Sequence, residues 1–227
     1  MFDVLIRNAE VIAGIRVPRY LADIGITGNR IDSIGDLSAT EARQTIDASG
    51  LVAAPGFIDV HTHTDDILCG CVSPLQASDC DKSGVVKSPA TAEPSAAAGD
   101  KPLEALRLEG RPHPRVFGSA GRVLGPLVRE VKLFSLEDAV QKLSGYPANR
   151  FGLKQRGELK PGHFADVVVF DPETITDQAT YLEPLRPTLG MHSVLVNGTP
   201  IIESGQPVPS ERLPQILSGR YLRCGRA

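Results

Sequence analysis

Pro55-Gly56-Phe57-Ile58-Asp59-Val60-His61-Thr62-His63 is the stretch on which the reading of this chain turns. Phe57 to Val60 is short and mostly apolar, and Pro55 and Gly56 bound it, which predicts a buried strand. Residues two apart on a strand point to the same face, so the imidazoles of His61 and His63 can reach one point. Imidazole is the commonest protein ligand for a divalent metal such as zinc. Taken alone, a His-x-His pair is more often two ordinary surface or core histidines. The apolar strand ahead of it and the carboxylate of Asp59 inside that strand bring the metal reading level with that one.

Upstream, residues 2–54 read as a run of short strands. Asp3-Val4-Leu5-Ile6-Arg7 is one and Glu10-Val11-Ile12 a second. Leu21–Thr27 and Arg30–Ile34 alternate apolar and polar residues, with Gly28-Asn29 as a tight hairpin signal between them. Thr45-Ile46-Asp47 and Leu51–Ala54 follow, parted by Ala48-Ser49-Gly50. This is the grammar of a small β-sandwich.

Downstream, Thr64–Cys71 keeps some apolar character, but from Val72 to about Asp100 the chain is rich in Ser, Ala, Pro and Lys. Such a composition buries too little apolar surface to offset ordering entropy, so 72–105 is expected to be a loop or disordered linker. Ser135-Leu136-Glu137-Asp138-Ala139-Val140-Gln141-Lys142-Leu143 predicts an amphipathic helix. Ser135 is its N-cap, acids fill the first turn, and Gly145 and Pro147 end it. Val167–Phe170 predicts a buried strand. His192–Ile202 predicts a hairpin around Asn197-Gly198.

Composition narrows the function classes. The chain has 227 residues, 41% of them apolar, and a formal net charge of −3. No basic stripe exists, and with no Trp and seven Phe there is little to stack bases on, so nucleic acid is not an expected partner. No apolar run approaches a membrane span. The start, Met1-Phe2-Asp3-Val4, carries an acid where a signal peptide needs basic charge. The four cysteines, Cys69, Cys71, Cys80 and Cys224, are therefore read as reduced thiols of a cytoplasmic protein.

Three phrases resemble one family in the right order. "DVLIRNAEVI", "DIGITGNRIDSIG" and "IDASGLVAAPGFID", ending in the histidine pair, are similar to the N-terminal arm and first barrel strand of the metal-dependent amidohydrolase superfamily. "PGHFADVVVFD" and "VLVNG" resemble its closing strands. "GRPHPRVFGSAGRVLG", with the helix after it, resembles the N-acyl-D-amino-acid deacylase (D-aminoacylase) branch, with Ala120-Gly121 standing where that branch has a Phe-Pro or Phe-Ala pair. The resemblance covers about residues 1–66 and 107–224.

The resemblance implies a mainly β fold. Residues 1–55 and 150–227 would form one discontinuous, composite β-sandwich, and 56–149 a truncated TIM-barrel remnant with the first strand and the last helix. A complete (β/α)8 barrel takes about 250 residues, more than 56–147 can supply, so the barrel interior of the family pattern is missing. It also implies a zinc-dependent hydrolase of linear amides, cleaving an N-acyl-D-amino acid to a D-amino acid and a carboxylate. His61 and His63 would hold the metal. The branch also uses a cysteine ligand, for which Cys69 and Cys71 lie nearest; on their own these are two small thiols. Asp100 is the candidate proton carrier, or an ordinary loop acid. Arg115 would meet the substrate carboxylate, because guanidinium fits carboxylate bidentately, or make a structural salt bridge. His163 and His192 are read as sandwich residues.

Three protein ligands are usual for a catalytic zinc, and this chain offers two good ones. A second expectation therefore stands beside the enzyme: a catalytically inactive remnant, a β-sandwich module without zinc or with at most a residual metal-binding or partner-binding role. A third is complementation, with another chain supplying the missing strands. Self-association into a homo-oligomer is left open.

Overall fold

The computed structural model describes residues 1–59, 75–76, 85–86, 113–214, 218–219 and 222–223. In chain order the strands are β1 (Phe2–Val11), β2 (Tyr20–Thr27), β3 (Arg30–Gly35), β4 (Ala42–Asp47), β5 (Val52–Pro55), β6 (Ile58–Asp59), β7 (Leu75–Gln76), β8 (Val85–Val86), β9 (Val167–Phe170), β10 (Met191–Val196), β11 (Thr199–Glu203), β12 (Gln206–Pro207) and β13 (Leu222–Arg223). Among the described residues, four helices, α1 (Arg115–Leu124), α2 (Pro126–Arg129), α3 (Leu136–Leu143) and α4 (Gly145–Arg150), lie between β8 and β9.

The two ends of the chain build one sheet. Its order is β12-β11-β10-β9-β5-β1-β2-β3, with β4 pairing in parallel to β1. The join is β5 to β9, antiparallel, with Val52 opposite Phe170 and Ala54 opposite Val168. Alternation along these strands separates two cores. Ala53, Val167, Val169 and Leu195 point into a cluster shared with Val4, Ile6, Ile24, Ile26, Ile31 and Ile46. Val52, Ala54, Val168, Phe170 and Val194 point the other way, against Leu124, Leu136, Ala139 and Val140 of the helices. Burying a Val, Ile or Phe side chain is worth roughly 1.5–3 kcal/mol, so these two clusters hold the two arms of the chain together. Outside this sheet, β6 pairs in parallel with β7, and β8 antiparallel with β13.

The expected hairpins form where the turn chemistry puts them. Asn197 and Gly198 both take positive φ, 46° and 81°, between β10 and β11, the backbone that a two-residue type I′ turn needs. Ser135 caps α3, its Oγ accepting the Asp138 N–H at 3.1 Å, with Glu137 and Asp138 in the first turn.

One expectation is corrected. The separate strands at Asp3–Arg7 and Glu10–Ile12 are one strand, β1, whose register shifts between Ile6 and Ala9. Asn8 takes φ 57° there and donates its N–H to Asp23 Oδ1 at 2.8 Å, so a bulge replaces the break. α3 ends at Leu143, just ahead of Gly145, where the sequence ends it. The chain turns at Ser144 and continues as α4, in which Pro147 lies in the first turn, where the N–H it lacks has no helical partner to lose. The expected linker 72–105 lies outside the described residues except at β7 and β8.

The spacing of α1 explains how it docks. Its buried residues, Gly118, Gly121 and Leu124, recur every third position and form one thin face. That face lets the helix approach residues 174–189: Thr188 Oγ1 donates to Phe117 O at 3.0 Å and Arg122 pairs with Asp177 at 2.7 Å. Arg129, at the end of α2, donates to the carbonyls of Pro172 and Ile175 at 3.0 and 2.7 Å.

Candidate functional site

The lead into the histidine pair is built by β5 and β9. Pro55 ends β5 opposite Val167, and Gly56 then donates its N–H to Asp166 O at 2.9 Å. Phe57 and Ile58 are buried, and Asp59, the last described residue of the stretch, is exposed. Ile58 packs with Ala148, Leu153 and Leu222, so α4 and the segment after it form the wall on which β6 rests. Ser144, fully buried at the turn between α3 and α4, donates its Oγ to Pro55 O at 3.1 Å.

Asp166 belongs to a buried polar cluster. Arg156 Nη1 donates to Asp166 Oδ2, and Arg156 Nη2 to Asn197 Oδ1 at 2.9 Å. The Asn197 N–H donates to Asp166 Oδ1 at 2.9 Å, and Asn197 Nδ2 to Ser218 O at 2.6 Å. Burial pushes the Asp166 carboxyl up, against the pull of the Arg156 guanidinium and the Asn197 N–H. The Phe164 ring lies between two guanidiniums, with Arg30 3.6 Å and Arg156 4.0 Å from its centroid. Stacking on a ring offsets part of the desolvation of a buried Arg.

A cavity of about 430 Å³ opens beside this cluster, bordered by Gly14, Tyr146, Arg156, Glu158 and His163. His163 Nδ1 is buried and has no hydrogen-bond partner among the described residues. Burial pushes this imidazole below the usual histidine range, with the Glu158 carboxylate opposing the shift.

Arg115 is exposed on the first turn of α1. The Arg115 N–H donates to His113 Nδ1 at 3.1 Å, which makes that nitrogen an acceptor and places the ring proton on Nε2, facing Tyr181 Oη at 3.0 Å. His113 thus holds the start of α1 against the 177–189 segment. His192 lies on β10 beside Ser193 Oγ at 2.9 Å, and His163 lies just ahead of Phe164 in the segment paired to Arg30; both are part of the sheet region.

The other candidate residues, His61, His63, Cys69, Cys71 and Asp100, lie outside the described residues. Among the described residues no group of three or more His, Cys, Asp or Glu could hold a metal ion, and no helix is long and apolar enough to cross a membrane. The sequence reading missed the Arg156–Asp166–Asn197 cluster. Its signal was an acid placed directly before four apolar residues: a carboxylate at the mouth of a buried strand requires a cation or several N–H donors.

Residues 111–202 match the model of the amidohydrolase family. The D-aminoacylase of Alcaligenes xylosoxydans xylosoxydans is 51% identical over 98 residues, covering 43% of this chain and 20% of that enzyme. The chain thus spans about a fifth of the length of this curated relative. A crystal structure of D-aminoacylase superposes with a TM-score of 0.74 at 19% identity, covering 98% of this chain and 100% of that one. The N-acyl-D-glutamate deacylase of Bordetella bronchiseptica, in complex with zinc and a phosphonate mimic of the tetrahedral intermediate, superposes with a TM-score of 0.66 at 19% identity, covering 91% and 98%.

Proposed function

We propose, from the kinship of this chain with the amidohydrolases and their D-aminoacylases, that its chemistry is zinc-dependent hydrolysis of an N-acyl-D-amino acid at the linear amide bond. The observation that carries this reading is the fixed path from β5 through Gly56 to Asp59, which ends two residues before His61. Residues 1–55 and 150–227 are read as a composite β-sandwich, and 56–149 as the remnant of a barrel.

The donor set suits zinc: two neutral imidazoles spaced to share one face, with the thiols of Cys69 and Cys71 as further candidates. Bound zinc would polarise the amide carbonyl and acidify a water. The chain's own groups would supply the rest. His61 and His63 would hold the ion, Asp100 would carry the proton from water to the leaving nitrogen, and exposed Arg115 would take the substrate carboxylate.

A second reading rests on length. Residues 60–114 are all that lies between β6 and α1 in sequence, against the about 250 residues of a full barrel. On this reading the chain is a non-catalytic module with at most a residual metal or partner site.

Zinc content decides first. Elemental analysis of the purified chain is compared with a His61→Ala/His63→Ala variant. Near-stoichiometric zinc that the variant loses, with turnover of N-acyl-D-amino acids and not their L-enantiomers, is the outcome expected of the enzyme. Equal zinc in both proteins, or none in either, refutes the metal pair.

A further inference from the structure

Asp166 ties together four stretches that are far apart in sequence. Its carboxylate receives the Arg156 guanidinium and the Asn197 N–H, Asn197 reaches on to Ser218 O, and the Asp166 carbonyl receives the Gly56 N–H at 2.9 Å. Arg156, Asp166 and Asn197 are 5%, 4% and 6% exposed. Gly56 passes Asp166 without space to spare, since a Cβ on Gly56 would stand 3.1 Å from Asp166 Cβ. One hydrogen bond and one close contact therefore set both the direction and the distance of the chain where it leaves β5.

Stability alone does not account for three polar side chains in this place. Well-packed apolar groups of similar volume often hold a core as well as a buried ion pair does. Hydrogen bonds are directional, so a hydrogen-bonded polar cluster holds one geometry where apolar packing tolerates several. We propose that Asp166, held by Arg156 and Asn197, is a positioning residue: it fixes the polypeptide at Gly56, where the chain leaves β5, and so sets the direction in which it runs on to Asp59, two residues ahead of His61. The consequence for zinc rests on the metal reading of His61 and His63; the consequence for the backbone does not.

Two variants of the full chain test this. Gly56→Ala leaves the ion pair in place, and Gly56 has no positive φ that an alanine would strain. Asp166→Asn removes the carboxylate. Three quantities are read in each: amide hydrogen exchange at Phe57–Asp59, the imidazole NMR signals, and zinc affinity by chelator competition. In folded Gly56→Ala, exchange at Phe57–Asp59 is expected to speed up about tenfold through easier local opening, with β1 and β10 unchanged. The imidazole signals of His61 and His63 move, and those of His113 and His192 do not. Zinc binds roughly tenfold more weakly, the low end for loss of a group that orients metal ligands.

Wild-type exchange and imidazole signals in Gly56→Ala overturn the proposal. So does unchanged affinity in a variant when the wild-type chain binds zinc through the histidines. A lowered melting midpoint with neither the imidazole signals nor the zinc affinity moved would mark Asp166 as purely structural and also overturns it. If Asp166→Asn does not fold, Gly56→Ala decides alone. If the wild-type chain binds no zinc, the functional reading falls, and exchange with the imidazole signals still decides the positioning role.

Discussion

Asp166→Asn keeps the shape of the side chain and removes its charge, so its cost measures what the carboxylate does for Arg156. The side chains of Asp166 and Arg156 are 4% and 2% exposed. The carbonyl oxygen of the introduced amide could still accept the Asn197 N–H, but its NH2 would offer donors to a guanidinium that has only donors itself. A buried positive charge then loses the carboxylate it is bonded to, and removing one partner of a buried pair costs about 3–5 kcal/mol. For a chain of this size that lowers the melting midpoint by roughly 6–20 °C. Arg156→Met/Asp166→Asn carries neither charge and should be more stable than Asp166→Asn alone, with a coupling of about 0.5–3 kcal/mol. Arg43→Gln is the control. Its pair with Asp3 spans 3.3 Å with side chains 74% and 39% exposed, so its loss should stay within about 1 kcal/mol. Urea titration followed by circular dichroism reads the wild-type chain and all three variants. A cost for Asp166→Asn inside the range of the control, or a double variant no more stable than Asp166→Asn, refutes the buried-pair reasoning.

Two further outcomes are expected. Ser135→Ala removes the oxygen that accepts the Asp138 N–H at 3.1 Å and should cost about 1 kcal/mol; urea titration checks it, and Ser135→Asp should restore most of the loss. The His163 imidazole is held below its usual range by burial, so the unfolded chain binds this proton more readily than the folded one. The stability this group contributes is present above the unfolded value of about 6.5 and is lost as the pH falls below it, down to the lower folded value. His163→Gln should remove that part of the slope in a series of unfolding curves from pH 7.5 to 5, and an unchanged slope would place the titration elsewhere.

Local chemistry was legible along the chain. Ser135 with its acids, Asn197-Gly198, and the alternation of β2 and β3 each act over a few residues, so the sequence alone carries them. The end of α3 ahead of Gly145 was legible, but α4 was not, because proline stops a helix interior yet is tolerated in a first turn, and that depends on the turn at Ser144. The break between Arg7 and Glu10 was a misreading, because the positive φ of Asn8 and its bond to Asp23 on the neighbouring strand make a bulge there.

The approach of Gly56 to Asp166 could not be read at all. The two residues are 110 positions apart by number (166 − 56), and nothing in either neighbourhood names the other. The sequence by itself carried the longer strands, the helix at 136–143, the imidazole pair and the resemblance to a family, because period, turn residues and phrases are local properties. Only the tertiary structure decided that β5 pairs with β9, that the arms share two cores, and that Arg156, Asp166 and Asn197 meet. Those facts depend on which distant surfaces exclude water together, and a buried charge finds its partner only after that burial has occurred.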